Sequence, residues 1–406
     1  MSVGPSPVGG VLLTELVHSG NLQNPASLAL SGSTMWVGSY GTNQLTSVTI
    51  PNDVTNLYPL PSGHNVAGVA VDNSGQPWFS DPNATSIGYL PTGASLPTEY
   101  NLGSTYGTNI TGVVKGPDGN MYFGSSGYIM EASTSSPGSI SYVTYTGYNP
   151  KYAAVGPQST LWFTSDGSVV RLQFSGKTLS TAMAYTITSG ADVFGGITEG
   201  ADGNMYVADN TTDSIIRINL DSTGTPTSLT TLSGFGGAIG GLAPGQSGDT
   251  SLWLTIPSGN VIYALNFSTS TLVGSITPPS SSSSPTSLLT TGDDSIWWGE
   301  ASTGFLGTDG DGQNFASVYI DQTNLHKPAG SGAGYSGGYA IATPQGGGSL
   351  TGITNNCAAY TYTTTYPFPS GVNDIGLTTT SSYSGSGTCY IVVNSTYGSA
   401  EFAMPD

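Results

Sequence analysis

One phrase recurs seven times along this 406-residue chain, and it limits the fold more than any other feature. In each copy a short apolar run precedes a turn rich in Asp, Asn, Ser and Gly, and the next run contains an aromatic residue. These residues lie 40 to 47 positions apart: Trp36, Trp78, Tyr122, Trp162, Tyr206, Trp253 and Trp297. A third run follows, and most copies close with a weaker fourth. Each copy therefore reads as four short strands.

Four short strands repeated at this period are typical of the blades of a β-propeller. Asp-Gly between two such runs favours a tight hairpin, because Gly accepts a positive φ. Helical periodicity is nearly absent. The sequence predicts an all-β chain with a seven-bladed propeller over residues 1–320. The blades are expected near 25–60, 67–102, 110–146, 151–188, 195–233, 239–277 and 285–320.

The closure of the ring has two interpretations. The run VLLTELVH (11–18) resembles an outer fourth strand and could close the ring beside the seventh blade. The run FASVYI (315–320) is an alternative outer strand for the same blade.

A second domain is expected after the repeats. Residues 321–338 form a Gly-rich linker, and residues 339–406 hold short strand-like runs that suggest a small immunoglobulin-like β-sandwich. Cys357 and Cys389 lie on two of these runs, and we expect them to form a disulfide. Two free buried thiols are the alternative.

Charge and hydropathy exclude some partners and leave the compartment open. Charged residues make up 7% of the chain, and 24 acidic against 6 basic residues give a net charge of −18. Such a surface repels phosphate backbones and anionic membranes, so we expect no nucleic acid partner. No apolar run is long enough for membrane insertion. The low lysine content and the Ser-, Thr- and Tyr-rich composition suggest an extracellular, cell-surface or virion location, although no signal peptide is visible.

Three phrases carry a resemblance to a known family. GPDGNMYFG (116–124), LWFTSDGSVVRL (161–172) and WFSDPNATSIGYL (78–90) resemble the virginiamycin B lyase (streptogramin lyase) family, over roughly residues 11–320. The resemblance implies a seven-bladed propeller. It also implies a magnesium-assisted elimination that opens a cyclic depsipeptide ester at the central face.

The chain departs from that family where its catalytic histidines belong. The family has His before the first strand of active blades and a Glu-x-His after the aromatic strand. Here the Glu position holds Asp81, Asp209 or Glu300, with no His two residues later. The chain has only three histidines: His18, His64 and His326. His64 is four residues before Gly68 and out of register, so we interpret it as a solvated loop residue, and we predict no catalytic residue.

One position recurs three residues after each aromatic and is the best candidate for ligand binding. Three carboxylates and three hydroxyls near a common axis could bind Ca²⁺, Mg²⁺ or a sugar. Turn and capping residues facing water are the alternative. The set comprises Ser39, Asp81, Ser125, Ser165, Asp209 and Glu300, with Ile256 in the remaining copy. Asp309 and Asp311 have a calcium-like spacing, but that loop lacks the Gly and Glu of a calcium loop, so we interpret it as a turn.

These observations favour a non-catalytic extracellular or virion-surface module that binds or assembles on a propeller platform. Its partner would be a protein or glycan surface, or further copies of the chain. The first alternative is a divergent lyase-like enzyme with a metal-assisted central site. The second is a self-assembling filament or coat subunit.

Overall fold

The computed structural model describes residues 14–16, 22–50, 54–103, 106–145, 147–190, 193–245, 251–278, 280–292, 295–309, 317–320, 336–342, 350–355, 360–363, 372–379, 389–395 and 398–404. For 14–16 and from 317 onward it describes the backbone alone. Within these residues the chain is all-β, apart from one short 3₁₀ turn at Pro257–Gly259.

Seven four-stranded antiparallel sheets form the blades of the propeller, as predicted. In blades 1 to 6 the chain order of the strands is also their order in the sheet. Blade 1 comprises Pro25–Ser31, Thr34–Ser39, Gln44–Thr49 and Val54–Pro59; blade 2 comprises Gly68–Val71, Pro77–Asp81, Ser86–Tyr89 and Thr98–Asn101; blade 3 comprises Val113–Lys115, Met121–Ser125, Tyr128–Ala132 and Ile140–Thr144.

The remaining blades follow the same plan. Blade 4 comprises Ala153–Gly156, Thr160–Ser165, Ser168–Ser175 and Thr178–Thr186; blade 5 comprises Phe194–Glu199, Met205–Asp209, Ser214–Leu220 and Pro226–Ser233; blade 6 comprises Leu242–Pro244, Ser251–Ile256, Val261–Asn266 and Thr271–Ile276; blade 7 comprises Pro285–Thr290, Ile296–Glu300, Leu306–Thr308 and Thr14–Leu16.

The N-terminal strand closes the ring. Thr14–Leu16 pairs antiparallel with Leu306–Thr308 and is the outer strand of blade 7. The alternative outer strand, Ser317–Ile320, pairs with Ser336–Ala342 instead. The last blade therefore combines strands from both ends of the repeat region, and it does not extend to residue 320 as the sequence suggested.

The recurring aromatics lie where the repeat predicted them. All seven are on second strands and are buried, from 0% exposed at Trp78 to 9% at Trp253. Seven apolar clusters lie between successive blades, and the last joins Trp297 of blade 7 to Met35 of blade 1. Burial of these aromatic side chains between neighbouring sheets is the main stabilisation of the propeller.

The repeated Asp-Gly-Asn turn satisfies the polar atom of its own aromatic residue. In blade 5 the Tyr206 hydroxyl donates to Asp202 Oδ2 over 3.0 Å. In blade 3 the Tyr122 hydroxyl donates to Asp118 Oδ2 over 2.9 Å. A buried hydroxyl without a partner would be costly, so the aspartate and the aromatic belong to one unit of the repeat.

The C-terminal strands form two further sheets. One has the order Ser317–Ile320, Ser336–Ala342, Val372–Thr379, Tyr360–Thr363, and the other has the order Leu350–Asn355, Cys389–Ser395, Gly398–Met404. Ser336–Ala342 begins inside the segment that the sequence assigned to a linker. The immunoglobulin-like fold of this part stays a prediction. The disulfide does also, because Cys357 lies outside the described residues.

Candidate functional site

The position three residues after each aromatic has one place in the fold: it is the last residue of the second strand of every blade. In an antiparallel pair the second strand ends beside the start of the first. All seven positions therefore lie on the face where the loops between blades enter. These side chains are buried, with exposures between 0% and 2%. They do not face water, contrary to the alternative that we considered for them.

The three serines of this set have different surroundings, and two of them bind residues of the loops between blades. Ser125 Oγ donates to the Tyr106 carbonyl over 2.5 Å, and Ser165 Oγ accepts from the Asn149 amide over 2.7 Å. Ser39 Oγ is buried with no hydrogen-bond partner among the described residues. A ligand role for the whole set stays a prediction.

Asp209 and Glu300 are both engaged by neighbours in sequence. Asp209 accepts from the Thr211 amide over 2.9 Å and from the Thr212 hydroxyl over 2.8 Å. Glu300 accepts from Trp298 Nε1 over 2.9 Å and from the Thr303 hydroxyl over 2.6 Å. Among the described residues, neither acid belongs to a cluster of three potential metal ligands.

Asp81 is different because histidine and a second acid converge on it. His64 Nδ1 lies 2.8 Å from Asp81 Oδ2 and 3.1 Å from Glu99 Oε1. The side chains of Asp81, Glu99 and His64 are 0%, 14% and 24% exposed. The interpretation of His64 as a solvated loop residue was therefore wrong, since its ring is largely buried and faces two carboxylates.

Three separate elements supply this cluster. His64 is in the loop between blades 1 and 2, Asp81 ends the second strand of blade 2, and Glu99 is on its outer strand. Phe79 pairs with Gly88, and Gly88 pairs with Glu99. Directly paired residues share a sheet face, and so do residues two apart on one strand. Phe79, Asp81 and Glu99 therefore lie on one face, which packs toward blade 1, because Phe79 joins the apolar cluster that contains Trp36.

The electrostatics of the cluster are dominated by burial. Burial raises the pKa of Glu99, and the carboxylate of Asp81 adds to this effect. Hydrogen bonding and attraction from His64 lower the pKa of Glu99 but do not outweigh burial. Two carboxylates and one imidazole in a partly dehydrated place favour a bound cation or a shared proton.

Sequence reasoning missed two members of this cluster. The recurring position after the aromatic residue picks out Asp81, but no local pattern connects His64 or Glu99 with it. Strand pairing could have indicated Glu99. Gly88 pairs with both Phe79 and Glu99, and this register puts Glu99 on the same sheet face as Asp81. Asp309 also has a structural role, because its Oδ1 accepts the Ile296 amide over 2.8 Å, whereas Asp311 lies outside the described residues.

Among the described residues, no helix is long and apolar enough to cross a membrane. No protein-family model matches the chain, and no curated protein matches its sequence. Solved propellers do resemble it. Virginiamycin B lyase from Staphylococcus aureus is 20% identical, with a TM-score of 0.63 over 73% of this chain and 98% of that one.

Two other similar structures have unrelated descriptions. Hydrazine synthase of Kuenenia stuttgartiensis is 13% identical, with a TM-score of 0.59 over 76% of this chain and 98% of that one. The WD40 β-propeller domain of Doa1 is 13% identical, with a TM-score of 0.57 over 74% of this chain and 96% of that one. Propellers carry many unrelated functions, so the fold does not choose among them. What these likenesses establish is a seven-bladed β-propeller of the kind found in virginiamycin B lyase.

Proposed function

We propose that this chain is a non-catalytic module of an extracellular or virion surface that assembles with further copies of itself on its propeller platform. The observation that carries the proposal is the charge pattern of the outer strands. Five of the seven contain no Asp, Glu, Lys or Arg: Val54–Pro59, Ile140–Thr144, Thr178–Thr186, Pro226–Ser233 and Thr271–Ile276.

Uncharged outer strands lack a protection that the edges of sheets commonly have. An outer strand has one row of unpaired backbone N–H and C=O groups, and proteins commonly protect such edges with charge, especially lysine. Exposed apolar side chains lie on these strands, including Met183 at 49% and Leu229 at 44%. The net charge of −18 is carried elsewhere, so repulsion between copies is weakest at these edges.

The longest of these edges are adjacent, on blades 4 and 5. Thr178–Thr186 has nine residues and Pro226–Ser233 has eight. An edge of this length can pair antiparallel with the same edge of a second copy, and backbone hydrogen bonds then supply affinity. A glycan or protein ligand on the same surface would use similar polar contacts.

The test places lysines on the two edges. Thr181 and Thr230 are exposed, and the variant Thr181→Lys/Thr230→Lys puts a charge in each edge. Ser95→Lys, at an exposed bend of blade 2, is the control. In sedimentation velocity we expect the native chain and the control to associate with rising concentration and the double variant to remain monomeric. A native chain that stays monomeric, or a double variant that associates like the control, contradicts the proposal.

The lyase-like enzyme remains a second candidate for one reason. His64 puts an imidazole next to Asp81, one of the acids at the family's Glu position. We nevertheless expect no opening of cyclic depsipeptide esters with or without Mg²⁺, because Asp209 and Glu300 are engaged within their own blade. Ester opening that is lost in Glu300→Gln, while circular dichroism shows a native fold, would favour the enzyme.

A further inference from the structure

We propose that His64, Asp81 and Glu99 form a binding site for a divalent transition-metal ion, with Zn²⁺ the best match. This site is independent of the assembly edges on blades 4 and 5. One ligand atom from each residue lies within 4.8 Å of the other two. Two donors bound to one Zn²⁺ in tetrahedral geometry are about 3.3–3.6 Å apart, given Zn–N and Zn–O lengths of about 2.0–2.2 Å. A small outward movement of these side chains therefore makes room for the ion.

The first argument concerns Asp81 Oδ2. This atom is buried, and it accepts no hydrogen bond of normal geometry among the described residues, although His64 Nδ1 is 2.8 Å away. His64 Nδ1 carries at most one hydrogen, and its hydrogen-bonding contact is with Glu99 Oε1 at 3.1 Å. Two carboxylate oxygens thus face one donor. A cation between the three atoms would satisfy all of them.

The second argument is that the surrounding residues hold Asp81 in one orientation. Its Oδ1 accepts three backbone amides, from Asn65 at 3.2 Å, Asn83 at 3.0 Å and Ala84 at 3.1 Å. These bonds direct Oδ2 toward His64. Such outer hydrogen bonds orient the ligands of metal sites and raise affinity.

The loop that carries His64 is also fixed by hydrogen bonds at the histidine and at the residue before it. The His64 amide donates to the Pro61 carbonyl over 3.1 Å. Asn83 Nδ2 donates to the Gly63 carbonyl over 3.1 Å, which ties this loop to the turn after Asp81. The imidazole is therefore presented by a constrained loop, and little conformational entropy is lost when the ion binds.

The donor set selects the class of ion. Imidazole suits Zn²⁺, Cu²⁺, Fe²⁺ and Ni²⁺, whereas carboxylate alone suits Mg²⁺, Ca²⁺ and Mn²⁺. One imidazole with two carboxylates is a mixed set that Zn²⁺ accepts, and the two carboxylates balance its charge. His64 is 24% exposed, so the ion can enter from solvent and keep water as a further ligand. The acidic surface of the chain raises the local concentration of cations.

The experiment uses the full chain in the background His18→Gln/His326→Gln, which leaves His64 as the only imidazole of the three. After treatment with a chelator, Zn²⁺ is titrated by calorimetry and by equilibrium dialysis. We expect one equivalent to bind. His64→Gln and Glu99→Gln should each weaken binding at least about tenfold. Asp209→Asn, which alters the matching acid of blade 5, should bind like the background chain.

Each result is interpreted only for variants with native circular dichroism. No saturable Zn²⁺ uptake by the background chain overturns the proposal. So does uptake that is unchanged in both His64→Gln and Glu99→Gln, because the ion would then be elsewhere. Tighter binding of Ca²⁺ or Mg²⁺ than of Zn²⁺ would overturn the assigned ion. X-ray absorption of the loaded chain should show one nitrogen and carboxylate oxygens around zinc.

Discussion

Asp81 of blade 2 and Asp209 of blade 5 occupy the same place in two copies of one repeat. Each ends the second strand, each pairs with a serine that begins the third strand, and their exposures are 0% and 2%. Each also accepts a backbone amide from two residues later, Asn83 in one blade and Thr211 in the other. The shared role of this acid is to cap the turn that follows the strand.

The two blades differ in what surrounds the second carboxylate oxygen. In blade 5 it accepts the Thr212 hydroxyl, so the turn uses both oxygens. In blade 2 the backbone donors all bind Oδ1, and Oδ2 faces His64. The next paired positions are Gly88 and Glu99 in blade 2 but Ile216 and Thr231 in blade 5. An acid that caps a turn can thus also take part in a binding site when the turn uses only one of its two carboxylate oxygens.

The largest effect expected from this comparison is on stability when each acid is truncated. Asp81→Ala leaves three backbone amides without their acceptor, whereas Asp209→Ala leaves one amide and one hydroxyl. We expect losses of about 2–4 and about 1–2 kcal/mol in the free energy of unfolding, since an unsatisfied buried donor costs about 1–3 kcal/mol and water reaches some of them. Urea denaturation followed by tryptophan fluorescence measures both. Equal losses would show that the extra amide bonds of Asp81 contribute nothing.

The second prediction concerns Gly88 of blade 2, where blade 5 has Ile216 at the matching position. A Cβ at Gly88 would lie 2.3 Å from Cζ of Phe79, whose side chain is fully buried and cannot move aside freely. Gly88→Ala should therefore cost about 1–3 kcal/mol through overpacking. Gly196→Ala is the matched control, because its nearest neighbour would be 3.5 Å away. Phe79→Val/Gly88→Ile reproduces the Val207 and Ile216 pair of blade 5, and it should recover part of the loss. Failure of that double variant to recover any stability would mean that the two blades are not interchangeable here.

How much of this the sequence predicts depends on the range of the interactions. The repeat gave the blade count and the aromatic positions, because both follow from local patterns of apolar and turn residues. Ring closure by Thr14–Leu16 was ambiguous, since two runs of equal local quality competed for one edge. The cluster of His64, Asp81 and Glu99 was not predicted, because it depends on the register of three strands and on a loop. Register is fixed by packing and not by any motif of adjacent letters.

The third prediction concerns whether the same hydrogen bond contributes equally to the free energy of unfolding in blades 3 and 5. In the turn between the first and second strands of blades 3 and 5, the Asp-Gly-Asn phrase is identical. Tyr122 and Tyr206 each donate a hydrogen bond to the aspartate of this phrase, four residues earlier. Tyr122→Phe and Tyr206→Phe should each lower the free energy of unfolding by about 1.5–2 kcal/mol, the lower end of the range for a hydrogen bond to a charged group. Thermal denaturation compares the two. A difference much larger than the error would show that Arg217, which contacts Asp202 Oδ2 in blade 5, changes the contribution of that tyrosine.

The smallest effect is expected in blade 4, where the acid comes one residue after the strand and its partner is lysine. Asp166 Oδ1 accepts Lys151 Nζ over 2.8 Å, and Oδ2 accepts Asn149 Nδ2 over 2.8 Å. Burial raises the pKa of Asp166, but the bonds from Lys151 and Asn149 outweigh it and lower the pKa below its ordinary value.

A lowered folded-state pKa gives stability that is present above the unfolded pKa of about 3.9 and is lost as the pH falls through the folded value. Because the pair is about one-third exposed, it should contribute less than about 1 kcal/mol. Asp166→Asn should therefore be slightly less stable than the native chain at pH 7 and equally stable near pH 2. In the Lys151→Met background, the change Asp166→Asn should cause much less of this loss of stability at pH 7. A gap between native chain and Asp166→Asn that widens on acidification would reverse the sign of this argument, and it would mean that burial of Asp166 dominates over its lysine.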